Sequence, residues 1–233
     1  MIVLNHEQGS EDWLAARCGV ITASRFSDAR KKLAKASGDR KAGEPHGDAV
    51  RYAWLVAIET IAGQPLDDSF VTYAMRRGRD LEPQARAVYE KRTGAWVDEV
   101  SLVLTDDRRF GYSADGFRDD DGLIEVKCPL SAEKIGQVWA SPETAHLEYI
   151  DQINGGLWIT GRKYCDLIVY CPWLAPVGKD LFVKRIHRDE AAIEALESDL
   201  IGFMRLVDDN LSILRAPAKM SGAAKEPAAA VSA

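Results

Sequence analysis

Apolar positions along the chain switch between helical and strand spacing in a telling order. Helices come first, then a strand meander, then a helix–strand–strand–helix ending. Ser10 is placed to cap a short helix through Trp13 and Leu14 that Gly19 ends. After Val20-Ile21, Thr22 is placed to cap a second helix reaching about Lys35. Residues 36–47 form a polar, basic, Gly-rich loop. Asp48 then caps an amphipathic helix with Val50, Trp54, Ala57, Ile58 and Ile61 on its apolar face and Gly63 as its stop. A further helical pattern spans about Thr72 to Arg92 and closes at Gly94. Pro83 inside it predicts a kink or a restart, because proline removes a backbone hydrogen bond and clashes with the preceding turn.

Strand-like runs follow at Trp96–Thr105, Phe110–Phe117 and Leu123–Lys127. Asp119-Asp120-Asp121-Gly122 separates the last two, and an Asp-Gly step between such runs signals a hairpin. Ser131 opens a short helix, a longer one covers roughly Thr144 to Ile159, and strands are expected at Tyr164–Cys171 and Leu181–His187. The last helix, about Asp189 to Leu214, puts Ile193, Leu196, Leu200, Phe203, Val207 and Leu211 on one side. Residues 216–233 are rich in Ala, Pro, Ser and Lys without a hydrophobic face and read as a disordered tail. The expected fold is therefore α/β (α+β), one domain over residues 1–215 with a mixed sheet flanked by helices.

Composition narrows the setting without naming a function. With 46% hydrophobic and 28% charged residues among 233, the chain can bury one sizeable core. Its four cysteines form no CxxC pair, and neither a membrane-length apolar run nor a secretory signal is present, so a reducing cytoplasm is expected. The four histidines share no metal-ligand spacing. A net charge of −6 argues against indiscriminate coating of a polyanion but is neutral about a confined basic channel. Candidate basic patches are Arg30-Lys31-Lys32 with Lys35, Arg40 and Lys41; Arg76-Arg77 with Arg79; and Arg108-Arg109. Of the tryptophans, Trp139 and Trp173 could stack on a base, with core packing as the alternative for both.

The chemistry concentrates around Gly111-Tyr112-Ser113-Ala114-Asp115-Gly116 and Leu123-Ile124-Glu125-Val126-Lys127-Cys128-Pro129. Residues two apart on a strand share a face, so Glu125 and Lys127 point the same way and Asp115 can meet them from the neighbouring strand. Two carboxylates and an ammonium at one spot suit Mg²⁺, which takes oxygen ligands and keeps several waters, together with a phosphodiester. The alternative for this set taken alone is a surface hairpin with solvated charges.

With those elements placed, the chain resembles the phage lambda exonuclease and YqaJ-like viral recombinase family of the PD-(D/E)XK nuclease superfamily. Four segments carry the resemblance in order, from about Trp13 to Trp158. They are Trp13-Leu14-x-x-Arg17-x-Gly19-Val20-Ile21-Thr22-Ala23-Ser24, Gly78-Arg79-x-x-Glu82-x-x-Ala85-Arg86, the Asp115 and Glu125-Val126-Lys127 core, and Tyr149-x-x-Gln152 followed by Leu157-Trp158. The resemblance implies a restriction-endonuclease-like core and Mg²⁺, for which Mn²⁺ can substitute. Asp115, Glu125, the Val126 carbonyl and Glu82 would hold the ion, and Lys127 would position the attacking water. Gln152 would contact the scissile strand or a metal-bound water, and Arg17, Thr22 and Ser24 would receive a 5′ phosphate. Asn154 stands where many relatives carry a second glutamine.

The activity implied is 5′→3′ digestion of linear duplex DNA to nucleoside 5′-phosphates, leaving 3′ overhangs. A homotrimeric ring and a single-strand annealing recombinase as partner, in the bacterial host cytoplasm, are implied in the same way. Two other readings stay open at this point: an endonuclease on the same fold, and a non-catalytic DNA-end binder.

Overall fold

The computed structural model describes residues 1–66 and 72–217. The expected tail therefore lies, from residue 218 onward, outside the described residues. In chain order the strands are β1 (Ile2–Leu4), β2 (Ile21–Thr22), β3 (Val97–Asp98), β4 (Leu102–Leu104), β5 (Phe110–Tyr112), β6 (Gly116–Arg118), β7 (Gly122–Lys127), β8 (Tyr164–Tyr170) and β9 (Leu181–His187). The helices are α1 (Glu11–Arg17), α2 (Phe26–Ala29), α3 (Gly47–Ala62), α4 (Tyr73–Thr93), α5 (Ala132–Ala140), α6 (Ile150–Thr160) and α7 (Glu190–Arg215).

The strands form two mixed sheets, of order β1-β4-β5-β2 and β3-β6-β7-β8-β9, so the mixed-sheet expectation holds but with two sheets in place of one. The pairs β2–β5 and β7–β8 are parallel and the rest antiparallel. Two of the expected strands are each split between the sheets. Trp96–Thr105 becomes β3 and β4, and Phe110–Phe117 becomes β5 and β6. At the second crossing the cause is visible. The β6–β7 ladder stops at Gly116↔Ile124. The next free amide of β7, that of Val126, donates instead to the Asp115 carboxylate at 2.7 Å. A side chain replaces backbone pairing there, and the chain leaves the sheet at the residue expected to carry chemistry.

Alternation along β7 sorts the layers. Leu123 faces a core that includes Ile153 and Leu157 of α6, together with Leu167 of β8. Ile124 faces the opposite core, with Ala85 and Tyr89 of α4 and Ile168 of β8. The five-stranded sheet is thus covered on one face by α6 and on the other by α4. The α7 stripe is buried as expected at all six positions from Ile193 to Leu211, and each fully buried leucine or phenylalanine there contributes roughly 1.5–3 kcal/mol of transfer free energy.

Four helices depart from expectation, one of them α6, which starts at Ile150 after a 3₁₀ turn at Leu147–Tyr149 and not near Thr144. The segment after Thr22 forms a 3₁₀ turn (Ala23–Arg25) and the four-residue α2, not a helix to Lys35. Arg30 ends it by pairing with Asp151 and Asp199 at 2.7 and 2.8 Å, and a Lys32–Pro45 bridge closes the following loop. Helix α3 is capped by His46 rather than Asp48, and it buries Ala49, Tyr52, Ala53, Val56 and Ala57. Of the expected face only Ala57 is among them, because the small residues let α3 lie close to α7, where Tyr52 stacks on Phe203 at 5.2 Å. Helix α4 runs unbroken through Pro83, so no restart occurs there.

Candidate active site

The C-terminal half of β7 carries Glu125 and Lys127 on the face toward α6, and their side chains meet at 2.7 Å. Gln152 of α6 completes a triangle. Its Nε2 donates to Glu125 Oε1 at 2.7 Å, and its Oε1 accepts from Lys127 Nζ at 3.1 Å. Glu125 is only 1% exposed, and its other oxygen accepts the Tyr112 hydroxyl at 2.8 Å. A buried carboxylate is tolerable only with such partners. Gln152 can reach because Gly155 and Gly156 let α6 sit close. A methyl group on Gly156 would lie 2.8 Å from the Tyr112 ring, and one on Gly155 would lie 2.5 Å from Phe26.

Asp115, at the sheet crossing, is held by the Val126 amide. Burial pushes its pKa well above the usual carboxylate range, and the nearby Glu125 and Glu82 carboxylates push it further than Lys127 pulls it back. Glu82 comes from the other layer, on α4, where Arg86 donates to it at 2.8 Å. Burial raises the Glu82 pKa too, against the pull of Arg86 and with added repulsion from Glu125. For Lys127 burial works against the charge, but Glu125 and Asp115 outweigh it, so its pKa is raised and the side chain is a cation at neutral pH.

Asp115, Glu82, Glu125 and Lys127 therefore share one electrostatic environment. Among the described residues no three His, Cys, Asp or Glu side chains stand in metal-holding geometry as placed. The donor set is nonetheless oxygen only, and its negative charges repel one another. That chemistry fits a hard divalent cation.

Arg17, Thr22 and Ser24 are linked through Tyr52 and through the segment that precedes Asp115. Arg17 lies over the Trp13 ring at 4.1 Å and donates to Ser113 Oγ at 3.2 Å. Among the described residues no carboxylate lies within ion-pair distance of Arg17. Burial lowers its pKa, an effect Tyr52 and Glu59 offset in part, and a guanidinium stays charged regardless. The Thr22 amide donates to the Tyr52 hydroxyl at 2.9 Å. Its own hydroxyl makes no capping bond and lies 3.4 Å from Ser24 Oγ.

Sequence reasoning assigned no role to Tyr112, Ser113, Tyr149 or Glu99. Ser113 was open to inference, since it lies two residues before Asp115 in an extended segment. Tyr112 carried no signal beyond that of a buried strand aromatic. Tyr149 places its ring 5.1 Å from Lys127 Nζ, and Glu99 pairs with Arg86 at 2.5 Å. A cavity of about 500 Å³ opens beside Glu82 and Ala114, lined also by His6, Arg79, Arg86 and Glu99.

The candidate basic patches fare differently. Arg30, Lys31 and Lys32 are spent on Asp151, Asp199 and Asp48, and Arg109 on Asp208. Among the described residues Arg40, Lys41, Arg76 and Arg79 form no ion pair. The Arg77 guanidinium donates to the Cys128 carbonyl at 3.1 Å and lies 4.5 Å from the ring centre of Trp173. The four cysteines are free thiols, and no helix among the described residues is long and apolar enough to cross a membrane.

Comparison with known proteins adds to this geometry. A family described as the YqaJ-like viral recombinase domain matches residues 12–163. The crystal structure of an alkaline exonuclease, LHK-Exo, from Laribacter hongkongensis is similar at 32% identity. It covers 88% of this chain and 96% of its own, with a TM-score of 0.74. LHK-Exo in complex with dAMP matches at 33% identity with the same coverage and TM-score. A phage related exonuclease from Haemophilus somnus 129PT shares the fold at 14% identity, covering 84% of this chain and 96% of its own with a TM-score of 0.65. No curated protein sequence matches.

Proposed function

Because this chain belongs to the YqaJ-like viral recombinase domain family, we propose that it is a Mg²⁺-dependent exodeoxyribonuclease. In this reading it digests one strand of linear duplex DNA from its 5′ end and leaves a 3′ overhang. The observation that carries it is the convergence of Asp115, Glu125 and Lys127 with Gln152 at the end of β7. The likeness to LHK-Exo, an alkaline exonuclease with a structure in complex with dAMP, supports nuclease chemistry with a nucleoside monophosphate product.

Asp115, Glu125, Glu82 and the Val126 carbonyl would hold the ion, with Mn²⁺ as a workable substitute. When bound, the ion supplies Lewis acidity toward the phosphoryl oxygens and a more acidic water. Lys127, being charged, cannot take a proton from that water. Its ammonium orients the nucleophile and stabilises the charge that builds on the phosphate. Gln152 holds Lys127 and Glu125 in register, and the Tyr112 hydroxyl donates to the second Glu125 oxygen and fixes the carboxylate in its buried position.

End selection rests on Arg17, Thr22 and Ser24. An arginine that pairs with no carboxylate among the described residues and donates to Ser113, together with the paired hydroxyls of Thr22 and Ser24, is matched to a terminal phosphate. A homotrimeric ring around DNA and a single-strand annealing partner belong to the same proposal and would reconcile the acidic net charge with a basic lumen. Incubation of one plasmid in linear and covalently closed forms with Mg²⁺ tests it. Loss of the linear form alone is expected, and cutting of the closed circle would make the protein an endonuclease.

A further inference from the structure

Trp173 stands at the surface of the molecule. It lies in the 3₁₀ turn Pro172–Val177 between β8 and β9, none of whose residues is buried, and it is itself 60% exposed. The expectation of core packing for Trp173 therefore fails. Trp139, by contrast, is half-buried with its ring edge-on to Phe182 at 5.6 Å. Exposure alone does not set Trp173 apart, since Trp96 is 71% exposed, but its contacts do.

The position of the ring says what it can do. The Arg77 guanidinium covers the ring at 4.5 Å. The same group donates to the carbonyl of Cys128, the residue immediately after Lys127, at 3.1 Å. Arg77 thus ties the exposed ring to the end of the catalytic strand. Arg76, next to Arg77 in the same helix, is exposed, and so is Lys179 of the same connection, whose ammonium lies 5.2 Å from the Trp139 ring centre. An exposed π-face backed by a guanidinium that also holds the carbonyl of the residue after the catalytic lysine matches a nucleic acid strand, which presents phosphate charge and a flat base together.

Building on the nuclease reading, we propose that Trp173, backed by Arg77, is a stacking platform for a base of the DNA strand that occupies the active site. The contact is to the π-face of the base, so it is indifferent to sequence. It serves to hold the strand in place near the scissile phosphate and takes no part in the chemistry.

The test uses full-length Lys127→Ala protein, which holds DNA without cutting it, and a 5′-phosphorylated duplex oligonucleotide. Adding Trp173→Ala should weaken binding about tenfold, in line with the cost of losing one base–aromatic stack, while Trp173→Phe stays within about threefold. Duplexes carrying abasic sites at the first few 5′ positions should bind Lys127→Ala more weakly than intact ones, and the Trp173→Ala double variant should no longer distinguish them. Equal binding with and without Trp173 would overturn the platform alone. A Trp173→Ala change that lowers the oligomer mass in light scattering would overturn it as well, assigning the ring to a contact between copies. If Lys127→Ala binds no DNA at all, the platform and the nuclease reading fall together.

Discussion

Arg17 and Ser113, ninety-six positions apart, are joined by a guanidinium-to-hydroxyl hydrogen bond of 3.2 Å. It links helix α1 to the sheet crossing two residues before Asp115, so Arg17, proposed to receive a terminal phosphate, is tied to the segment that carries Asp115, a proposed metal ligand. Arg17→Ala should slow digestion of 5′-phosphorylated ends by at least tenfold while changing 5′-hydroxyl ends little. Parallel rate measurements on the two substrates check this. Equal loss on both would remove Arg17 from end recognition.

Lys127 is held between Glu125 and Gln152, and its charge is stabilised by Glu125 and Asp115. Lys127→Ala should cut the single-turnover rate by a hundredfold or more, on the order of what losing one transition-state charge donor costs. DNA affinity should change by less than about threefold. Lys127→Arg should not rescue, because a planar fork cannot replace a compact ammonium between those two oxygens. Rates close to those of the unaltered protein in either variant would take Lys127 out of the mechanism.

Much of this arrangement was legible in the sequence. The α7 stripe, the bounds of β9 and the β6–β7 hairpin follow from periodicity, and the i, i+2 placement of Glu125 and Lys127 from strand geometry. What escaped depended on partners distant in sequence. The buried face of α3 is set by small alanines meeting α7, whereas hydrophobic patterning favours the larger Trp54 and Ile58. The sheet crossing hangs on one side chain, Asp115, displacing a backbone partner of Val126. No local pattern encodes that substitution, nor the hydroxyl of Tyr112 reaching Glu125.

Burial, with added repulsion from the Glu125 charge, pushes the pKa values of Asp115 and Glu82 up. A divalent cation should relieve that repulsion and bind the folded state alone. Mg²⁺ at about a hundred times its dissociation constant would then add roughly 2.7 kcal/mol. For a chain of this size that is a rise in melting temperature of about 5–10 °C. Asp115→Asn should abolish most of the rise. Identical melting shifts in the two proteins would place the ion elsewhere.

Gly156 lies under the Tyr112 ring, and the next turn of α6 toward its start carries Gln152. Alanine at 156 would gain about 1 kcal/mol of helix propensity. It would also thrust a methyl group to 2.8 Å from the ring. Overpacking of that kind costs about 1–3 kcal/mol, so the net effect should be destabilising. Activity should fall more than stability alone explains, because Tyr112 moves with Glu125. Calorimetry alongside single-turnover rates separates the two effects, and a stabilised, fully active Gly156→Ala would refute the packing argument.

Asp166, 1% exposed in the interior strand β8, shows how the sheet beneath the site responds to pH. Its carboxylate accepts from Arg185 at 2.8 and 2.9 Å, from Tyr89 at 2.5 Å and from Arg118. Burial alone would raise its pKa, but those hydrogen bonds outweigh it and the pKa is lowered. A carboxyl group depressed on folding contributes stability that is fully present above its unfolded pKa, about 3.9. That contribution drains away as pH falls from there through the lower folded value. Asp166→Asn should therefore cost stability at pH 7, roughly 3 kcal/mol, because two arginines lose a charged partner. The gap between the two proteins should narrow below about pH 4, where the natural chain starts to lose the same interaction. Denaturant unfolding of both at pH 7 and pH 3.5 measures this, and a gap that is constant or widens on acidification would show that the Asp166 charge does not stabilise the sheet.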